Sequence, residues 1–300
     1  MATQEDFEAF DEYYVESKQR VDQRIDEIIS GREDMAKKRK ILAHATAGGK
    51  RIRPVLTMLV ADRYEAPYDT ALDHAAIVEL IHNASLVADD LQDGDIERRG
   101  MPTTWKILDK IPFGRTGRKV TTGLTIMTEN GLVALAMEIA DDPDVVSAMG
   151  HGLRHLVDGF FAEGQNVTWG VLGGGYDKYI EVNRMKTGGL FGMAAWMPAT
   201  YTDATEDEVM AARKYGEEAG VLYQIADDYV DDDLPSFIKD PFEEMEKWYD
   251  STVDHISEMP DIDNDHLMRA APAWMVYKMA EQEGEEFDVD FIPDELWEGE

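Results

Sequence analysis

The chain has 300 residues, enough for one large domain or two of ordinary size, with 44% hydrophobic residues to build a core. Its formal net charge of −33 argues against nucleic acid and anionic membrane surfaces as partners, because both need basic patches. It contains no cysteine, which excludes disulfides, cysteine-ligated zinc and thiol catalysis.

Apolar residues recur at helical spacing from Phe7 to Ile29, and a second helix is predicted over Glu33 to Ala45. Gly48-Gly49-Lys50-Arg51-Ile52-Arg53-Pro54 forms a turn leading into an apolar helix, Val55 to Arg63. Tyr68 to Ala88 is helical and delivers Asp89-Asp90-Leu91-Gln92-Asp93, followed by a turn at Gly94 and the pair Arg98-Arg99. Thr121 to Ile139 and Ser147 to Gly164 read as buried helices, and Gly173-Gly174-Gly175 as a loop. Asp177 to Trp196 is helical and carries Lys186-Thr187-Gly188; its methionines and aromatics read as core packing. Glu206 to Tyr229 leads into Asp227-Asp228-Tyr229-Val230-Asp231. From Asp232 the pattern weakens to short segments, with a poorly ordered acidic tail expected after Glu281.

Alternating β-branched runs are essentially lacking, so the fold class is all-α: a helical bundle with several helices apolar on most sides. No flexible linker divides the chain, so one domain over 1–300 is expected. Nothing at the amino terminus has the layout of a signal peptide, and no apolar run approaches bilayer length. A cytoplasmic location is therefore expected. Acidic residues spread along the chain suggest adaptation to a salt-rich interior, where screening removes self-repulsion.

The two acidic motifs carry the chemistry. On a helix Asp93 sits beside Asp89 and Asp90, and the second motif repeats that spacing. Carboxylates so crowded repel unless a cation sits between them. Magnesium suits them, because it accepts one or two carboxylates, keeps waters and takes phosphate oxygens. One such motif arises by chance about half the time in a chain this rich in Asp; two, each ending an apolar helix, are not supplied by chance. An EF-hand reading fails, since a loop starting at Asp89 puts Leu91 at a ligand position and Gly100 where the closing Glu belongs. In a chain short of positive charge, Lys50, Arg51 and Arg53 beside a Gly-Gly turn suggest an anion site, although not a Walker loop. Arg98-Arg99 and the helix-borne Lys186 are phosphate candidates. His82, taken alone, reads as a core histidine.

In this order the motifs resemble the trans-polyprenyl diphosphate synthases, the farnesyl and geranylgeranyl diphosphate synthase family. The resemblance runs from about Gly48 to Asp231. It covers Gly-Gly-Lys-x-x-Arg-Pro, Glu79-Leu80-Ile81-His82, the first acidic motif with Arg98-Arg99-Gly100, Gly164-Gln165, Lys186-Thr187-Gly188 and Tyr223-Gln224-Ile225-Ala226-Asp227-Asp228. It implies a helical bundle around a central cavity, an allylic diphosphate held between the acidic motifs by three magnesium ions, and a homodimer. By carry-over, Asp89, Asp93 and Asp227 are metal ligands, and Asp90, Asp228 and Asp231 are ligands or their supports. Arg98, Lys186 and Gln224 grip the allylic diphosphate, while Lys50, Arg53, His82 and Arg99 hold isopentenyl diphosphate. Thr187 and Gln224 lie near the closing proton transfer. Ala84 and Ser85, both small, leave room below the first motif for a product of about twenty to twenty-five carbons.

The sequence departs from the family pattern in places. Asp232-Asp233-Leu234-Pro235-Ser236 stands where a lysine-bearing, glycine-rich segment is normal, leaving Lys239 as the nearby cation. Thr168 replaces an Asp, and Glu129-Asn130 replaces Gly-Asp. The expected activity is condensation of isopentenyl diphosphate with an allylic diphosphate. The alternatives are a catalytically weak partner subunit of a hetero-oligomeric synthase, and a terpene cyclase, which would not need the Lys50–Arg53 site.

Overall fold

A computed structural model describes residues 2–32, 38–111, 117–165 and 175–297, with the side chains of 163–165 left aside. Helix α1 (Gln4–Ser30) opens on a capping box in which Thr3 and Asp6 satisfy each other's backbone N–H, and it buries Phe7, Phe10, Val21 and Ile25. A short α2 (Arg39–Thr46) precedes the Gly-Gly turn; residues 33–37, where the sequence places the start of this helix, lie outside the described residues. Helix α3 (Ile52–Arg63) begins three residues earlier than expected, with Pro54 in its first turn, where a missing N–H costs nothing. Helix α4 (Tyr68–Asp93) runs through the first acidic motif and stops at left-handed Gly94, whose N–H caps Asp90 O.

Sequence periodicity gives no sign of the next element. Glu97–Arg98 (β1) and Met101–Pro102 (β2) pair as a tiny antiparallel hairpin. Its turn residues, Arg99 and Gly100, both have positive φ, as a two-residue hairpin turn requires. Then come α5 (Thr104–Asp109), α6 (Gly117–Ile139) and α7 (Pro143–Gln165). Helices α6 and α7 are not buried on all sides as expected: Leu124, Ile126, Met127, Met137, Val146, Val157 and Phe161 are exposed. The helical run from 175 to 200 is α8 (Gly175–Asn183), one π-turn (Arg184–Gly188) and α9 (Gly189–Thr200). The extra residue in the turn displaces Lys186-Thr187 from regular helical phase. Gly173 and Gly174 of the expected loop lie outside the described residues. Helix α10 (Glu206–Val230), capped by Thr205 and Glu208, ends in the second acidic motif.

The weakened pattern after Asp232 conceals two full helices, α11 (Pro241–Asp254) and α12 (Asp265–Glu283). The tail beyond them is packed, correcting the expectation of disorder. Phe287 and Phe291 are each 2% exposed, and Phe287 lies edge-on to Tyr229 of the second motif at 5.3 Å. Acidic residues on its outer side hide this alternation in the sequence. Arg63 ties α3 to the same region through Ile262 O and the Asn264 and Asp265 side chains.

Helix α10 meets the π-turn and α9 along glycines. A methyl added at Gly220 would stand 2.7 Å from Gly188 Cα, and one at Gly188 would stand 2.8 Å from Glu217 O. Backbone meets backbone there, so neither side can yield. Gly220→Ala should lower stability by about 1–3 kcal/mol, read as a shifted urea midpoint with unchanged slope.

His74, on α4, is buried against Tyr201, and neither ring nitrogen finds a hydrogen-bond partner among the described residues. Burial lowers its pKa from 6.5 to about 4. The stability tied to its neutral form is therefore complete above pH 6.5 and is lost as pH falls toward 4. Replacing His74 with Leu should remove a loss of roughly 3 kcal/mol across that window, measured by denaturation at about pH 7.5 and 4.5.

Candidate active site

One cleft of about 620 Å³ collects residues from five helices, the hairpin and the Gly-Gly turn. The Gly-Gly turn and α3 contribute Lys50, Arg51 and Arg53; α4 contributes Glu79, His82 and Leu86; the hairpin contributes Arg98 and Arg99; α10 contributes Tyr223, Gln224 and Asp227. Tyr14 and Lys18 of α1 and Gln282 of α12 complete the rim. Residues of both distant motif regions therefore share one cavity. His82 and Leu86 precede the first acidic motif by two turns and one turn, and Asp227 is the first acid of the second.

The cationic wall is built around His82. Arg53 donates to His82 Nε2 at 3.2 Å and lies over the Phe191 ring at 4.6 Å, with its buried Nε unpartnered among the described residues. Burial first, then the charges of Arg53, Arg99, Arg51 and Arg98, hold the His82 pKa well below its usual value. A neutral histidine ringed by arginines is a site arranged for an anion. Gly49 permits this crowding: a methyl there would collide with the Arg99 guanidinium at 2.7 Å. Arg99 also reaches Ala47 O at 3.3 Å.

Arg51, read in the sequence with the anion-site cations, does something else. Its guanidinium is buried, bonded to Glu79 at 2.5 Å, Asp22 at 2.7 Å and Thr46 O at 2.6 Å. It is the structural member of the loop, joining α1, α2 and α4 behind the exposed Lys50. Glu79, in turn, accepts from Asn83 at 2.8 Å.

The acidic wall is uneven. Asp90 is buried and paired with Arg98 at 2.5 Å, and Arg98 also approaches Asp89 at 3.6 Å and Asp95 at 3.8 Å. Asp93 is exposed. In the second motif, Asp228 accepts from Tyr179 at 2.6 Å and from the Gln224 amide at 2.8 Å; Thr187 donates to Gln224 Oε1 at 2.5 Å. Among the described residues Asp227 receives a single long side-chain bond, from Gln224 at 3.4 Å. Its pKa is pushed up to about 6 by burial, then by Asp231 and Asp228, with Lys50 opposing. Asp231 caps α10 and is exposed, and Lys186 adds its charge near Asp228.

A second, apolar cavity of about 280 Å³ starts at Ile81, Ala84, Ser85 and Ala88, just before the first motif. It runs between α6 and α7 past Val133, Leu156, Phe160 and Phe161. Glu129 lines it, with its carboxyl pKa raised by burial. Asn130 faces outward and bonds Ile126 O. Thr168 lies outside the described residues, as does the side chain of Gln165.

Sequence reading missed Tyr14, Lys18, Tyr179 and Gln282. Tyr14 and Lys18 sit in an ordinary amphipathic pattern, and nothing local marks them. Arg51→Ala should destabilise the protein by about 3–5 kcal/mol by leaving Glu79 buried without its partner, while Lys50→Ala leaves stability unchanged. An Arg51→Met/Glu79→Leu double variant should recover most of the loss in urea denaturation.

The sequence profile described as Polyprenyl synthetase matches residues 36–234. The chain is 32% identical over 214 residues to a geranylgeranyl pyrophosphate synthase of Geoglobus acetivorans, covering 70% of this chain and 64% of that protein. It is 29% identical over 189 residues to a short chain isoprenyl diphosphate synthase of Methanocaldococcus jannaschii, covering 62% and 54% of the two chains. The match therefore spans somewhat over half the length of these relatives. Among solved structures, an FPP/GFPP synthase from Zymomonas mobilis superposes with a TM-score of 0.75 at 22% identity, over 90% of this chain and 99% of that one. The fold is thus that of these all-helical enzymes, and with a profile match over residues 36–234 the chain belongs to the polyprenyl synthetase family.

Proposed function

We propose that this single all-helical domain is a prenyltransferase that joins isopentenyl diphosphate to an allylic diphosphate, giving a product of about twenty to twenty-five carbons. One observation carries the reading. A single cleft sets the cations around His82 against the half-buried Asp227 carboxylate, and an apolar cavity begins at Ala84 and Ser85 on α4, the helix that also carries His82. A ligand with a polyanionic head and a hydrocarbon tail, accompanied by cations, satisfies all three.

The donor set fits magnesium. Among the described residues no three acidic or histidine side chains close on one point, and magnesium asks for no such cage. Asp89, Asp93 and Asp227 would hold the ions, three in number by family resemblance, with Asp90, Asp228 and Asp231 ligating or supporting. When bound, they would neutralise the charge that develops on the departing diphosphate.

The protein's own groups do the rest. Lys186, Gln224 and Arg98 hold the allylic diphosphate. Lys50, Arg53, His82 and Arg99 hold isopentenyl diphosphate, its anion answering the positive field that, together with burial, keeps His82 neutral. The allylic carbon–oxygen bond breaks, the isopentenyl double bond attacks that carbon, and a proton lost from the adduct passes to the released diphosphate. Thr187 fixes the Gln224 amide toward Asp228, beside that transfer. The apolar walls keep water from the cation.

The exposed stripe of Leu124, Ile126, Met127 and Met137 on α6, with Val157 and Phe161 on α7, supports a homodimer through this face. No described helix is long and apolar enough to cross a membrane, and the charge of −33 supports a salt-rich cytoplasm.

Incubation with isopentenyl diphosphate, labelled allylic diphosphates and magnesium in high salt should yield an extended prenyl diphosphate. No product from any primer would overturn the reading in favour of a non-catalytic partner subunit. Ala84→Phe should shorten the product by at least one isoprene unit, because the ring would fill the start of the apolar cavity. An unmoved distribution would place the length-setting contact elsewhere.

A further inference from the structure

Six cationic side chains line the cleft: Lys18, Lys50, Arg51, Arg53, Arg98 and Arg99. Arg51 is held by Glu79 and Asp22, and Arg98 by Asp90. Lys18 stands apart from these, because it comes from α1, far from every motif, and has no carboxylate partner among the described residues. In a chain with 62 acidic residues and 29 cationic ones, that is a notable position for an ammonium group. The acid one turn further along α1, Asp22, would be its ordinary helical partner, but Asp22 accepts from Arg51 at 2.7 Å.

The lysine is also positioned. Its Nζ lies 5.7 Å from the centre of the Tyr14 ring, one turn back on α1. The Tyr14 hydroxyl donates to the backbone carbonyl of Lys50, joining α1 to the Gly-Gly-Lys turn. The lysine-poor stretch after the second acidic motif offers no substitute: Lys239 there donates to Ser236 O at 2.7 Å.

We propose that Lys18 is a further substrate-binding residue, one that pairs with Lys50 to hold the diphosphate of isopentenyl diphosphate at the outer rim of the cleft and so discriminates between the two substrates. The proposal rests on the prenyl-transfer reading of the cleft. Lys18 lines the cleft with Lys50, Arg53, His82 and Arg99, whereas Lys186 and Asp228 are not among the lining residues, and this assigns it to the isopentenyl half. An ammonium group at a rim contributes a charge-assisted contact that salt screens in part.

Lys18→Ala should therefore raise the KM for isopentenyl diphosphate about five- to tenfold, with the KM for the allylic substrate and kcat within about twofold. Lys18→Arg should restore the KM to within about threefold of the parent, since it keeps the charge. Calorimetric titration of isopentenyl diphosphate alone into the parent protein and into Lys18→Ala should show the same ratio without turnover. If the parent makes product while Lys18→Ala keeps its isopentenyl diphosphate KM, the proposal is overturned and the prenyl-transfer reading stands. Equal rises in both KM values, or a lowered melting temperature that Lys18→Arg shares, would overturn it in favour of a structural role for the α1 surface. If the parent makes no product, the prenyl-transfer reading fails, and equal binding of isopentenyl diphosphate by parent and variant would overturn the Lys18 assignment as well.

Discussion

The close approach of α10 to the π-turn and α9 is the constraint on which the rest of the site depends. Gly188, Gly216 and Gly220 bring the two backbones into direct contact, Gly192 makes room for the Glu217 side chain, and Gly159 of α7 lies against the Lys186 backbone. Such contacts are short and stiff, because moving them means moving whole helices. Thr187, Gln224 and Asp228 inherit that stiffness: their mutual hydrogen bonds join the two sides of the seam, and Tyr179 closes the line from α8. The second acidic motif is thus presented by a rigid frame rather than by a loop.

The cationic wall has a different foundation. Arg51 and Glu79 form a buried pair behind it, and a pair of that kind adds little net stability compared with apolar side chains of similar volume. What it contributes is placement. It fixes the Gly-Gly-Lys turn against α1 and α4, so that Lys50 and Arg53 reach the cleft from adjacent positions while Arg51 turns inward. The left-handed conformations of Arg51 and Arg99 belong to the same arrangement: each lets a guanidinium leave the chain in a direction that regular structure would not give. The result is a field that adds to burial, the larger cause, in holding the His82 pKa well below its usual value before any ligand arrives.

Much of this was legible in the sequence because the chemistry is written in short local patterns. Two acidic motifs at helix ends, a Gly-Gly turn rich in cations and paired arginines after a glycine each announce themselves within a few residues. The helices that carry them followed from apolar spacing, with ends misjudged by a few residues where a proline or a glycine could be read either way. What could not be read depends on neighbours distant in sequence. Arg51 resembles Lys50 and Arg53 until Glu79 and Asp22 are brought beside it. Lys18 is one lysine among the charges of a surface helix until the fold lays it along the cleft. The outward apolar residues of α6 and α7 read as core, because composition cannot distinguish a face buried in its own molecule from one left uncovered. The packed tail was obscured for the opposite reason, its few aromatics lying among acids.

That tail gives the molecule a timetable. Tyr229 belongs to the second acidic motif, yet Phe242 and Phe287, encoded later, pack against its ring. A chain synthesised only through α10 contains the acids but not the residues that brace them. This corner of the bundle can therefore assemble only once the segment through Phe287 has been made, and removing that segment would unsettle the site while every motif remained in place.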